Sequence, residues 1–186
     1  MKQYTNVTIY KHIGNFFIVL SILGFFYTFY PLFSAYFPQD IPKTIDTSSS
    51  LVIPKINAYS PIIKNVDPFN EKEYNQALQH GVAMAKGSQL PGNTGLTYLF
   101  AHSSGNPWQL TRFNTIFFRL GELEKGDEIV VYEDGRAYVY GVIDTKEVSP
   151  SEISYLLDYD FEGLILQTCT PIGTDLKRLL IFATLQ

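Results

Sequence analysis

At 186 residues the chain has room for one domain with a sizeable core and one further segment. A net charge of −4, with no basic patch and no acidic tail, argues against a nucleic-acid partner and against a disordered solvating arm. One cysteine excludes an internal disulfide; with three histidines and no Cys or His pairs at ligand spacing, a zinc site is not expected.

The first feature along the chain is a stretch from Ile13 to Gln39 without a charged residue. About 20 apolar residues cross the hydrocarbon core of a bilayer, so the length suffices even if Pro31 bends or ends the helix. Lys2 and Lys11 precede the stretch, and Asp40 is the first charge after it. Tyr27, Tyr30 and Tyr36 suit the headgroup level. A buried core helix is rarely so long and charge-free. A cleaved signal peptide has a shorter apolar region ending in small residues, whereas Phe33-Ser34-Ala35 has bulky Phe where a small side chain is wanted. The stretch therefore reads as an uncleaved transmembrane anchor over residues 13–37. The positive-inside rule leaves residues 1–12 in the cytoplasm and the larger C-terminal part outside. Residues 38–50, with Pro38, Pro42 and Thr47-Ser48-Ser49-Ser50, have no apolar period and read as a linker. The folded domain is expected over residues 51–186.

Within it, Leu51–Ile56 and Ser60–Val66 are two short β-like runs, and Pro54 and Pro61 place them at edges or at their ends. Glu71 to Gln79 reads as a short helix capped by Asn70, with Gly81 beyond its end; Asp67-Pro68-Phe69 is a turn before it. Residues 87–95 form a loop, and Leu96–Ala101 is a strand running into His102-Ser103-Ser104-Gly105-Asn106-Pro107. Phe113 to Leu120 is an apolar helical turn that plugs the core. Glu128–Tyr132 and Ala137–Ile143 are strands joined by a hairpin at Glu133-Asp134-Gly135-Arg136. Ser149-Pro150-Ser151-Glu152 starts a helix that fades by about Leu157. Two strands then close the chain, the first ending at Cys169 and the second starting at Arg178, with Pro171 and Gly173 in the loop between. About eight short strands, little helix and no βαβ alternation give an all-β class, a mostly antiparallel barrel or sandwich.

His102 and Cys169 each follow directly on an apolar β run, and Arg178 sits across the last loop. If those strands are neighbours, the three form one site. A thiol is a nucleophile that needs little help near neutral pH, an imidazole can protonate a leaving amine, and a guanidinium can hold an oxyanion. Against this stand three ordinary roles: a buried core thiol, a satisfied structural histidine and a solvated surface arginine. His80, at a helix end, and His12, beside the apolar stretch, fit structural roles of that kind.

Residue spelling adds a resemblance. Ile165-Leu166-Gln167-Thr168-Cys169-Thr170-Pro171, with Arg178 nine positions past the cysteine, resembles the signature of the sortases, membrane-anchored cysteine transpeptidases of bacterial surfaces. Ile53-Pro54-Lys55-Ile56 with Pro61-Ile62 looks like their first hairpin. Gly87-Ser88-Gln89-Leu90-Pro91-Gly92-Asn93 leading to Ala101-His102-Ser103 looks like their approach to the catalytic histidine. Phe118–Leu123 with Lys125–Ile129 looks like the segment after it. The likeness covers Leu51 to Thr184. Two spellings depart from it: Ala101 stands where the family usually has Gly, and Ile165-Leu166 where it has Thr-Leu. Neither replaces a reacting group. Pilus-building sortases often carry a second, C-terminal anchor and a lid with Asp-Pro-aromatic. The sequence shows no such anchor, and Asp67-Pro68-Phe69 lies after the first hairpin, so a non-pilin type is expected.

What the resemblance implies is an eight-stranded sortase β-barrel with short helices, tethered by the N-terminal transmembrane helix. The implied reaction is cleavage of a Leu-Pro-x-Thr-Gly-like C-terminal sorting signal of a secreted protein through a Cys169 thioester. The acyl group then passes to an amine acceptor, expected to be a cell-wall peptide precursor. His102 would act as acid and base, and Arg178 would hold the substrate backbone or the oxyanion. No cofactor is implied, and calcium dependence stays open. Two alternatives remain: a cysteine peptidase that hydrolyses its acyl-enzyme, and a membrane-anchored β binding module without chemistry. L,D-transpeptidases resemble the chain less, because their arginine closely follows the cysteine.

Overall fold

The computed structural model of the chain describes residues 2–36, 41–103, 115–153 and 161–186. It divides into two compact units, Met1–Phe37 and Pro38–Gln186. The first is a single helix, α1 (Lys2–Tyr36), which continues through Pro31. Its window Ile9–Tyr30 is 22 residues long with mean hydropathy 1.7, and none of it is buried. At the helical rise per residue this is roughly 33 Å, enough for a hydrocarbon core of about 30 Å. Apolar side chains such as Ile9, Phe16, Val19, Leu23 and Phe26 are exposed all round it, the pattern of a helix whose solvent is lipid rather than water. The Thr28 hydroxyl donates to the Gly24 carbonyl at 2.8 Å and so needs no partner outside the helix.

The second unit holds eight strands: β1 (Ser49–Ile53), β2 (Ala58–Val66), β3 (Val82–Ala85), β4 (Leu96–Phe100), β5 (Glu128–Glu133), β6 (Arg136–Val148), β7 (Gly163–Thr170) and β8 (Lys177–Leu185). They close into a barrel in the order β1-β2-β3-β4-β7-β8-β6-β5. The expected eight-stranded barrel is the observed one. Its interior is filled by Leu51, Ile53, Leu99, Phe117, Leu120, Ile129, Leu164, Leu166 and Ile181, all sealed from water.

Local chemistry explains several of the joints. Asp134 and Gly135 both have positive φ, 47° and 79°, the two left-handed positions of a tight hairpin turn between twisted strands. Their N–H groups donate to the carbonyls of Ser48 and Thr47, at 3.0 and 2.9 Å, so the chain just before β1 is tied to that turn. Asn70 caps the helix α2 (Glu71–Leu78) by accepting from the Glu73 N–H at 3.3 Å. Asp67 closes the preceding turn by accepting from the Phe69 N–H at 2.9 Å.

Four details differ from the sequence expectations. Strand β3 was not expected: four residues buried on both faces show no alternation to read. It pairs parallel with β2, with α2 as the crossover, and β4 pairs parallel with β7; the other pairings among the described residues are antiparallel. A closed barrel has no edge strand, so Pro61 is inside a strand. It sits where the β1 pairing ends at Ser50↔Pro61 and the β3 pairing begins at Ile62↔Val82, which is where a missing N–H is tolerated. Strand β6 runs to Val148, past a register shift between Val142 and Asp144 that interrupts the alternation. At Ser149–Glu152 there is a turn, closed by the Glu152 N–H on the Ser149 carbonyl at 3.0 Å; residues 154–157 of the expected helix lie outside the described residues. The expected core plug is present in residues 115–120 as a run of turns burying Phe117, Phe118 and Leu120. Phe113 and Asn114 lie outside the described residues.

Gly81 joins α2 to β3, and a Cβ there would run into the backbone carbonyl of Pro61. Because the obstacle is backbone, Gly81→Ala is expected to destabilise the domain by about 1–3 kcal/mol, read as a lower urea midpoint with the same slope. An unchanged midpoint would mean that the end of α2 shifts freely away from β2.

Candidate active site

Strand β7 carries Cys169, with β4 parallel on one side and β8 antiparallel on the other. Cys169 and Arg178 are direct Cα partners across β7 and β8. Side chains on directly opposed residues leave the same face of the sheet, with Cβ atoms about 4.5–5.5 Å apart. On the other side Phe100 is level with Gln167. The ladder continues one step past β4, where the Ala101 N–H donates to the Gln167 carbonyl at 3.1 Å. The buried Thr168 hydroxyl then donates to the Ala101 carbonyl at 2.9 Å. With residue 100 level with residue 167, His102 emerges level with Cys169. The three residues singled out from the sequence therefore meet at one end of the barrel wall.

A residue not foreseen from the sequence completes this end. Tyr74 of α2 packs edge-on against the rings of both Phe100 and His102, with centroids 6.4 Å apart in each pair. Since Phe100 and His102 are two residues apart, both point to the side that α2 covers. Tyr74, Ala77 and Leu78 stand at helical i, i+3, i+4 spacing, and that stripe is the signal that would have found the tyrosine; in a helix otherwise reading Glu-Lys-Glu, Asn-Gln, it passes for a surface residue. On the same sheet the Tyr98 hydroxyl donates to the Gln167 side-chain oxygen, linking β4 to β7 two residues before the cysteine.

Cys169, His102 and Arg178 are each half-buried. Burial pushes the Cys169 thiol above its ordinary 9.0; the Arg178 charge pulls it back and Asp175 pushes it further up. Burial also holds the His102 imidazole below its ordinary 6.5. Both effects favour the uncharged form of their group, so a neutral thiol faces a neutral imidazole near pH 7. Arg178 brings a fixed positive charge beside this pair. Its guanidinium donates to the backbone carbonyls of Asp175 and Lys177, at 3.0 and 3.4 Å. No carboxylate among the described residues forms an ion pair with it. The guanidinium is thus oriented by backbone, and among the described residues part of its fork is left for another acceptor.

The remaining histidines are His80 and His12. The backbone N–H of His80 donates to the Ala77 carbonyl at 2.9 Å past the end of α2, while its side chain is exposed. His12 lies exposed on α1. The loop that opens at His102 has residues 104–107 outside the described residues. No group of three or more His, Cys, Asp or Glu among the described residues is arranged to hold a metal ion.

A family model, the Sortase domain, matches residues 51–186. The chain belongs to the sortase family. It is 34% identical over 145 residues to a protein named Sortase D from Bacillus subtilis (strain 168), covering 76% of this chain and 65% of that protein. It is 26% identical over 129 residues to Sortase A of Bacillus anthracis, covering 69% of this chain and 55% of that protein. The chain thus spans 65% and 55% of the lengths of these two relatives. Among solved structures it is similar to a lid mutant of Sortase A from Corynebacterium diphtheriae, with TM-score 0.62 and 28% identity over 77% of this chain and 72% of that one. The family match spans β7, and the chain's one cysteine stands one residue before the end of that strand.

The Thr168–Ala101 bond is buried and directly precedes both His102 and Cys169. Thr168→Val keeps the shape and removes the donor, which is expected to cost about 1–3 kcal/mol of stability and to lower turnover of a sorting peptide. Thr168→Ser, which keeps the hydroxyl, should retain most of both. Equal behaviour of the two variants would show that the bond does not position the strand ends.

Proposed function

We propose that this sortase is a membrane-anchored cysteine transpeptidase with Cys169 as nucleophile, His102 as general acid and base, and Arg178 as the oxyanion or substrate-backbone donor. The observation that carries the proposal is the shared register: Cys169 directly opposes Arg178, and His102 leaves β4 level with them. On attack the Cys169 proton passes to the His102 imidazole, and Sγ adds to the threonine carbonyl carbon of a Leu-Pro-x-Thr-Gly-like sorting signal. Arg178 donates to the oxygen that becomes negative. Collapse breaks the peptide C–N bond, the imidazolium protonates the departing glycine amine, and a thioester remains. An amine, from a cell-wall peptide precursor in this reading, attacks the thioester. His102 takes its proton and returns it to the departing Cys169 sulfur.

In the same reading residues 1–12 are cytoplasmic, residues 13–37 anchor the chain, 38–50 link, and 51–186 form the catalytic domain on the outer side. An anchor suits the task because both substrates start at the membrane, so tethering raises their effective concentration at the site. A half-buried Cys169 supports catalysis over a binding module, which would seal its thiol. Product analysis with and without an added amine separates transfer from hydrolysis.

Cys169→Ala is expected to abolish the acyl-enzyme seen by mass spectrometry, and Arg178→Ala to lower kcat by on the order of 10²–10³. An acyl-enzyme still formed by Cys169→Ala would overturn the assignment. The rate should follow a bell in pH. Protonating His102 removes activity on the acid side, with a midpoint below 6.5 because burial lowers that group. Deprotonating Cys169 without a proton on His102 removes it on the alkaline side, with a midpoint above 9.0 because burial raises that group. An acid-limb midpoint above 6.5, or an alkaline-limb midpoint below 9.0, would contradict a buried acid–base pair of this composition.

A further inference from the structure

We infer that Tyr74 is a positioning residue for the reaction: its ring packs edge-on against His102, fixes the imidazole plane and screens it from water. The inference rests on the reading of His102 as acid and base, and it goes further by assigning a role to α2. The ring planes of Tyr74 and His102 meet at 66° and those of Tyr74 and Phe100 at 81°. Edge-to-face contact at these separations is attractive as well as space-filling. Tyr74 is therefore held between a sealed anchor, Phe100, and the imidazole it covers. Its attachment is firm: the Tyr74 N–H donates to the Asn70 carbonyl at 3.0 Å in the first turn of a capped helix, and Ala77 and Leu78 bury the same face against the barrel. His102, by contrast, lies beyond the end of β4, where no strand pairing restrains its side chain. A group that must take and give a proton on successive steps needs a fixed orientation, and α2 supplies one.

Among the described residues, the charged and titratable groups around this contact come from three elements and a turn. Glu71 lies on α2 itself, Cys169 on β7, Arg178 on β8 and Asp175 in the turn between β7 and β8. Cys169 and Arg178 both act electrostatically on the Tyr74 phenol, so the ring that packs on the imidazole also lies within electrostatic reach of the thiol. None of these charges is among the causes that lower His102, which is lowered by burial. Uncovering the imidazole should therefore let it titrate nearer its ordinary value.

The test compares Tyr74→Ala, Tyr74→Phe and Tyr74→Leu in the full chain, following the His102 imidazole by NMR titration and peptide turnover across pH. Tyr74→Ala is expected to raise the His102 midpoint toward 6.5, move the acid limb of the rate profile upward with it, and lower kcat roughly ten-fold with little change in KM. Tyr74→Phe keeps the ring and should match the wild type in both. Tyr74→Leu fills the helix–barrel contact without an aromatic edge and should shift both in the same direction by less; it stands in should the alanine variant fail to fold. A His102 midpoint that stays at the wild-type value in folded Tyr74→Ala and Tyr74→Leu overturns the inference. A midpoint that moves while the rate profile does not would leave the screening intact and overturn the role of His102 instead.

Discussion

The active end of this barrel depends on two strands running the same way. His102 stands just past the C-terminal end of β4, and Cys169 near the C-terminal end of β7. Parallel pairing brings those two ends to the same rim, with Phe100 level with Gln167. Were β4 and β7 antiparallel, the two ends would be separated by roughly the length of β4, about 16 Å. The antiparallel turn into β8 then returns Arg178 to the same rim, directly opposite the thiol. No single contact holds the three residues together; strand direction does, and the ladder bonds enforce it.

That register is hard to shift. Leu164, Ile165 and Leu166 are wholly buried, and β7 is hydrogen-bonded along both sides. A slip of one residue would reverse every side chain of a strand with apolar packing on each face. Burial relaxes toward the end: Gln167 is half-buried, Thr168 is sealed, and Cys169 and Thr170 are half-buried. Cys169 therefore sits one residue beyond the sealed part of the strand, close enough to be held and open enough to be reached. The same partial burial sets its charge state. It disfavours thiolate and imidazolium alike, so the resting pair is neutral, while the positive charge of Arg178 is held by carbonyls that do not neutralise it.

Much of this was legible in the residue order, because turn and cap chemistry is local. Asp134-Gly135 demands two left-handed positions, Asn70 offers an acceptor to the first turn of α2, and Pro171 and Gly173 break the last two strands apart. These mark the strand ends, and the strand ends carry the reacting groups. The neighbours of each strand were not legible, because pairing is a long-range property. The run from Val82 to Ala85 is too short and too uniformly apolar to show a period, so the strand that makes β2–α2–β3 a parallel unit went unseen. Pro61 suggested an edge because a proline lacks a donor, yet it occupies the one point of β2 where pairing passes from β1 to β3. Tyr74 was hidden by its polar neighbours, since its importance lies in the residues it meets, 26 and 28 positions away in Phe100 and His102.

The unseen strand and the unseen tyrosine have one cause. A parallel pair cannot be joined by a hairpin; the chain must leave the end of β2, travel back outside the sheet and enter β3 from the starting end. Here the return is α2, eight residues long, and Gly81 lets it meet β3 close against the Pro61 carbonyl. A crossover helix has to bury one face on the barrel wall, and the face formed by Tyr74, Ala77 and Leu78 does so. The tyrosine reaches past β3 to the end of β4, the next strand in the wall, where it meets the imidazole. The connection that lets β3 run parallel to β2 is thus also the element that covers His102, so topology and the environment of the reacting group follow from the same short segment.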